Sequence, residues 1–167
     1  MRNQNETIDL DATDIQLLDE LQQNAGLSNL ALAERLRVSP ATCLRRTRRL
    51  EGLGLIEQRL AVLNPQRLAL ALGHGLTALI EVTLERQDEP TLAAFEARAV
   101  AEAAVQQCYR VSPGPDFMLV THCADMPAHL AMAQRLFTAD SSVRNVKAFF
   151  SLKRSKFAPR LPLAPLG

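Results

Sequence analysis

Three helix starts crowd into the first forty residues, and they constrain the fold more than anything else in the chain. Asp11 precedes Ala-Thr-Asp-Ile, where it can cap a helix, with Asp14 three residues on at a first-turn position that suits an acid. Leu10 and Ile15 occupy the staple positions around that cap. Ile15, Leu18 and Leu21 mark one face, and Gly26 ends the segment. Ser28 caps a second, shorter helix carrying Leu30, Ala33 and Leu36. Ser39-Pro40 opens a third, with proline in the first turn where a missing N–H costs nothing, and Gly54 closes it in the left-handed conformation. Only Arg37-Val38 separates the second helix from the Ser39 cap. That is the spacing of a helix-turn-helix.

The third helix holds Arg45, Arg46, Arg48 and Arg49 within five residues. With residues spaced ~100° apart around the axis, Cys43, Thr47 and Leu50 form a narrow inward stripe. Ala41, Thr42, Arg45, Arg48 and Arg49 fall on the outward face, with Arg46 at its border. No acid is interspersed before Glu51, so pairs within the helix do not explain the charge. Small residues near the helix start let a backbone approach a major groove, and arginine forks onto guanine or clamps phosphate. The bland alternative is a solvated face that keeps the chain soluble. The preceding turn and helix favour a DNA reader, with Ser39, Ala41, Thr42, Arg45, Arg46, Arg48 and Arg49 as candidate contacts.

Further along, residues 56–65 read as an extended ribbon ended by Asn64-Pro65, and 66–75 as a linker or short helix. From Leu76 the period becomes two, with Leu76, Ala78, Ile80, Val82 and Leu84 alternating with polar residues. A helix follows Pro90. Strands are expected at about 105–112 and 117–124, split by Pro113-Gly114-Pro115-Asp116, then a helix through Leu130, Ala133 and Phe137, then a strand at about 145–153. The order β-α-β-β-α-β is ferredoxin-like. The fold class is therefore α+β: an N-terminal helix-turn-helix, winged-helix-like domain plus a C-terminal ferredoxin-like domain. Strands 117–124 and 145–153 are apolar on both faces, so the sheet face away from the helices needs a cover, and a second copy is the simplest.

Net charge is only +1, but its distribution is uneven. Residues 35–59 carry seven arginines against Glu51 and Glu57, and after Asp140 there are six basic residues and no acid. The basic end, Lys153 to Arg160, is either a solvated strand end or a second electrostatic contact with DNA. Cys43, Cys108 and Cys123 are widely spaced and read as small hydrophobes in a reducing compartment. His74, His122 and His129 make no metal-ligand spacing, Asp116 lacks a partner carboxylate or nucleophile, and no phosphate loop is present. No enzyme activity, cofactor or metal is expected. The absence of a leader or an apolar spanning run leads to the expectation of a cytoplasmic protein with no membrane partner.

The segments LDATDIQLLDELQQNAGLSNLALAERLRVSPATCLRRTRRLEGLGLI, LNPQRL and VSPGPDFMLVTHCADM resemble the Lrp/AsnC family of regulators over roughly residues 8–155. The resemblance implies a DNA-binding head at about 1–60, a hinge at 61–75 and an effector-and-assembly domain at 76–155. Residues 156–167 form a Pro-rich basic tail outside the resemblance. It implies double-stranded DNA as partner, an amino-acid effector, and a homodimer assembling to a tetramer or octamer. Gly114, Asp116 and Met126 match effector-responsive positions, and the effector sits between dimers. Three departures carry physical consequences. Arg37 stands where the family has a glycine and must take a left-handed backbone or another turn. Thr47 replaces a buried aliphatic residue, so its hydroxyl must bond back to a carbonyl. Pro113 and Pro115 remove two N–H donors from the effector loop. Two rival readings remain: an effector-independent architectural protein that bends or bridges DNA, and a small enzyme or sensor whose head only binds a partner.

Overall fold

The computed structural model describes residues 8–73 and 75–163; His74 lies outside them. The chain divides into two compact units. One holds the described residues up to Val62 together with those from Phe157 on, and the other is Leu63–Lys156.

The first unit is built on three helices, α1 (Ala12–Gln23), α2 (Asn29–Leu36) and α3 (Pro40–Gly52). Each begins at its expected cap. Asp11 accepts from the Asp14 N–H at 2.9 Å while the Asp14 side chain accepts from the Asp11 N–H, a reciprocal capping box. Ser28 accepts from the Ala31 N–H and Ser39 from the Thr42 N–H. Gly54 has φ +74°, the left-handed stop expected after α3.

Arg37 resolves the question raised by the missing glycine: it adopts φ 55°, ψ 41° at the end of α2, a left-handed conformation that costs a side-chain-bearing residue about 1 kcal/mol. Thr47 is buried, and its hydroxyl donates to the Cys43 carbonyl at 3.0 Å. One expectation needs correction. The buried stripe of α1 is Asp14, Leu17 and Leu21, while Ile15 and Leu18 are only half-buried. The core joins Leu17 and Leu21 to Leu32, Ala33, Leu36, Cys43 and Leu50.

In the second unit, Asn64 caps α4 (Pro65–Leu72), none of whose residues is buried. Strands β1 (Leu76–Leu84), β2 (Val105–Arg110), β3 (Phe117–Cys123) and β4 (Val143–Phe150) form one antiparallel sheet in the order β2-β3-β1-β4. The last strand starts and ends earlier than its sequence pattern suggests, and Leu152 is fully exposed. Residues 57–64 form no strand and are exposed. Helices α5 (Glu89–Ala101) and α6 (Met126–Ala133), the latter continued by a π-helical turn through Thr138, contribute to the core on one face of the sheet. The core is Ala78, Ile80, Val82 and Leu84 of β1 against Phe95 and Ala99 of α5, Phe117 and Leu119 of β3, and Met132. The Phe95 and Phe117 rings meet at 4.9 Å in a tilted pair.

Register fixes what the other face shows. Val120, Leu79 and Phe149 lie side by side across β3, β1 and β4; in the adjacent row Met118 stands beside Glu81, which pairs with Lys147 at 3.7 Å. Leu79 and Phe149 are 42% and 52% exposed, so among the described residues the sheet keeps an incompletely covered apolar stripe.

Asp11 is held below the ordinary carboxylate value of 3.8 by the Asp14 N–H and then by Arg46. A depressed carboxylate stabilises the folded state above its unfolded pKa, and that contribution is lost as pH falls through the lower folded value. Acid unfolding of the wild-type head should therefore show a component below pH 3.8 that is absent in Asp11→Asn, measured by circular dichroism across an acid titration.

Candidate nucleic-acid interface and effector domain

The structure sorts the arginines of α3 into two pairs. Asp14 of α1 is 1% exposed. Arg46 Nη1 donates to its Oδ1 at 2.8 Å, and Arg49 Nη1 to its Oδ2 at 2.9 Å. Arg46 also pairs with Asp11 at 2.7 Å, and Arg49 Nη2 donates to the Asp9 carbonyl at 2.6 Å. The two carboxylates push the Arg46 guanidinium above its usual pKa, Asp14 chiefly. These arginines are staples between α1 and α3. Arg46 and Arg49 thus commit donors to α1, while Arg46 Nε is buried with no hydrogen-bond partner among the described residues. A charged hydrogen bond contributes about 1.5–3 kcal/mol, more than a solvated side chain gains by remaining free.

Of the seven arginines in residues 35–59, four are paired: Arg35 with Glu20, Arg46 and Arg49 with Asp14, and Arg59 with Glu51. The other three are Arg37, Arg45 and Arg48, all exposed and unpaired among the described residues. They fall in the turn and on the side of α3 opposite the buried Cys43, Thr47 and Leu50. Ala41 is exposed and Thr42 half-buried beside them, with Ser39 Oγ donating to Thr42 Oγ1 at 2.9 Å. Ser39 and Thr42 thus complete a cap that fixes the first turn of α3. Asn29, at the start of α2, donates to the Pro40 carbonyl at 2.9 Å and ties the two helix starts together. Leu44 is 40% exposed, which the sequence reading missed; a leucine beside arginines can meet a thymine methyl.

In the second unit Gly114 lies in the exposed turn between β2 and β3, with φ +121°. Asp116 follows it but is 8% exposed. Its Oδ2 accepts from the Leu84 N–H at 2.7 Å, its own N–H donates to the Val82 carbonyl, and its carbonyl accepts from Val111. It ties the end of β1 to the turn. One of its carboxylate oxygens is thereby used within the fold. Met126, 43% exposed, begins α6 after the far end of β3. The length of β3 puts it about 20 Å from Asp116. The three expected effector residues therefore do not meet within one chain. A groove of about 510 Å³ beside β3 is lined by Glu102, His122, Cys123, Met132 and Arg135, among others, and by none of the three. Its Arg135 is held by a fork onto Glu102.

Burial pushes the thiols of Cys43, Cys108 and Cys123 above their usual pKa. His122 shares a 2.9 Å hydrogen bond with Thr77, and His129 is buried edge-on to Phe150 at 5.0 Å.

Comparison with known proteins follows this division. A winged helix-turn-helix DNA-binding family matches residues 10–57, and the Lrp/AsnC ligand binding domain matches residues 77–161. The chain belongs to the Lrp/AsnC family. It is 34% identical over 151 residues to the leucine-responsive regulatory protein of Rhizobium meliloti, covering 90% of this chain and 94% of that one. Identity to the Escherichia coli K12 protein of the same name is 31% over 153 residues, 92% of this chain and 91% of that. A transcriptional regulator from Neisseria meningitidis, solved as a complex with L-methionine, superimposes with TM-score 0.80 at 32% identity, covering 93% of this chain and 98% of that. An AsnC family transcriptional regulator from Agrobacterium tumefaciens gives 0.79 at 26% identity, covering 92% and 97%. The ligand-domain match reaches residue 161, so the resemblance extends past residue 155 into the segment set apart as a tail. The chain is accordingly a transcriptional regulator with a DNA-binding head, and no described helix is long and apolar enough to cross a membrane.

The sorting of arginines makes a sharp expectation. Arg45→Ala and Arg48→Ala should each weaken binding to cognate DNA by about 1–3 kcal/mol without lowering the melting temperature, Arg45→Ala also relaxing preference at one base pair. Asp14→Ala should instead destabilise the head by about 3 kcal/mol, since it strands two arginines, and Arg49→Ala should act in the same direction. Anisotropy titrations beside calorimetric melts separate the classes; a stable Asp14→Ala protein would refute the staple.

Proposed function

We propose that this regulator reads DNA in a sequence-specific way through Arg45 and Arg48, with Arg37 as a phosphate contact, and that a small apolar amino acid modulates it between copies of the chain. The observation carrying the DNA reading is that the unpaired cations of the head fall on the turn and outward side of α3. Ser39, Ala41 and Thr42 shape the approach; Arg46 and Arg49 hold α3 to α1. A rigid helix set by a buried ion cluster presents a preformed surface, which lowers the ordering cost of binding.

The uncovered stripe of Val120, Leu79 and Phe149 supports pairing of two sheets face to face. A homodimer is the proposed unit, assembling further to a tetramer or octamer in a cytoplasmic setting. Gly114 and Met126 stand at opposite ends of β3, so an effector touching both draws the loop from one copy and the start of α6 from another. Asp116 shapes that loop through Leu84 rather than holding the ligand. The relative solved with L-methionine supports an apolar or sulfur-containing amino acid as the class to test. The role is one of binding, with no catalysis assigned.

The test of DNA reading is anisotropy against salt: log Kd should rise with log salt with a slope of about 0.9 per phosphate contacted. A flat response would remove the reading. For assembly, Leu79→Glu combined with Phe149→Glu should shift sedimentation velocity toward monomer, while wild type runs as a dimer or larger. For the effector, L-methionine and L-leucine should raise the melting temperature of the assembled wild type, since a ligand bound only to the folded state stabilises it. No shift with either at millimolar concentration would favour the effector-independent, architectural reading.

A further inference from the structure

The C-terminal segment is where the structure departs most from the sequence reading. Phe157-Ala-Pro-Arg-Leu-Pro-Leu belongs to the compact unit of the head, although it follows the second domain in sequence. Its partner is α1. Leu161 makes two hydrogen bonds with one side chain: its N–H donates to Gln22 Oε1 at 2.7 Å, and its carbonyl accepts from Gln22 Nε2 at 3.1 Å. Arg160 pairs with Asp19 one turn earlier, at 2.8 Å. Leu163, half-buried, lines a groove of about 410 Å³ with Ile15, Gln16, Glu20 and Leu36.

These contacts fit an extended segment. Leu161 precedes Pro162, which disfavours a helical backbone there, and Pro159 fixes the residue before Arg160. In an extended chain with three residues per turn, positions three apart share an edge. Arg160 and Leu163 are three apart, and both address α1. An amide side chain that both donates to and accepts from one peptide unit sets the register of an extended segment, and the ion pair and the leucine fix its direction. The contacts leave the Asp14 side of α1 to α3.

We propose that the α1 groove around Asp19, Gln22 and Leu36 is a docking site for the chain's own proline-rich C-terminal segment, and that this docking gives the head a second tether to the effector domain, non-covalent where it meets α1. The chain leaves the head at Val62 and returns to it at Phe157, so the head is held at two points once Leu161 is seated. A doubly held head samples fewer orientations, and a pair of such heads accepts fewer half-site spacings on DNA. This consequence rests on the DNA-binding reading; the docking itself does not.

The experiment is hydrogen exchange on the full-length protein. The Leu161 amide should exchange at least about tenfold more slowly than in a synthetic peptide of residues 157–167, because opening must precede exchange. Asp19→Lys and Gln22→Ala should each remove most of that protection while the amides of α1 stay protected, which shows that the head remains folded. Asp19→Arg combined with Arg160→Asp should restore it, a result that a merely structural perturbation of α1 would not give. Exchange of Leu161 at the free-peptide rate in wild type, or protection indifferent to Asp19 and Gln22, overturns the docking. In anisotropy, Asp19→Lys should tolerate an insertion of about half a helical turn between half-sites better than wild type. An unchanged spacing preference in a variant that has lost Leu161 protection overturns the tether. Failure of all variants and wild type to bind any DNA, with Leu161 still protected, would instead strike the DNA reading and leave the docking standing.

Discussion

The head depends on one buried carboxylate. Asp14 closes the capping box of α1 through its contact with Asp11, and it receives a guanidinium on each oxygen from α3. A bare carboxylate at 1% exposure would be too costly to keep charged, so the site holds only because both arginines arrive together. The cluster therefore does two things at once. It sets how α3 lies against α1, and it fixes which arginines are used inward. Arg46 and Arg49 turn donors to Asp14, while Arg45 and Arg48 are left exposed and unpaired among the described residues.

A second buried aspartate works similarly in the other unit. Asp116 bonds the Leu84 N–H through its side chain while its backbone bonds Val82 and Val111, so the turn after β2 is stitched to the end of β1. Pro113 and Pro115 on either side of Gly114 stiffen the same turn. The loop is thereby a stiff, exposed projection at one end of the sheet, with a carboxylate oxygen of Asp116 turned inward to Leu84.

The fold was legible in the sequence wherever local rules act. Caps at Asp11, Ser28 and Ser39, the left-handed stop at Gly54 and the alternation from Leu76 to Leu84 are short-range signals, and each specifies its element. The Thr47 back-bond and the left-handed Arg37 followed from the same kind of reasoning, since each is a residue in conflict with its own position. What the sequence did not yield are pairings between elements. Asp14 could have been suspected, because it falls three and seven residues before Leu17 and Leu21 on what proved to be the buried stripe, and an acid there needs cations from elsewhere. The contacts of the Pro-rich end with Gln22 and Asp19 had no comparable signal: both partners are ordinary polar residues, separated from it by about 140 positions. The separation of Gly114 from Met126 needed only the strand between them to be treated as a rigid spacer of known rise.

The acids of α1 are directed at cations from other segments. Asp14 faces α3, Glu20 faces Arg35 of α2, and Asp19 faces Arg160 of the C-terminal segment. Each acid meets a cation from a different segment, so α1 is the neutralised hub of the head rather than a negative surface. Exposed fields fade over about 8 Å in physiological salt. Charges already paired on α1 and the inner edge of α3 therefore contribute little at the outer face, and the field there is governed by Arg37, Arg45 and Arg48. Arg37 reinforces this at a cost of about 1 kcal/mol in backbone strain.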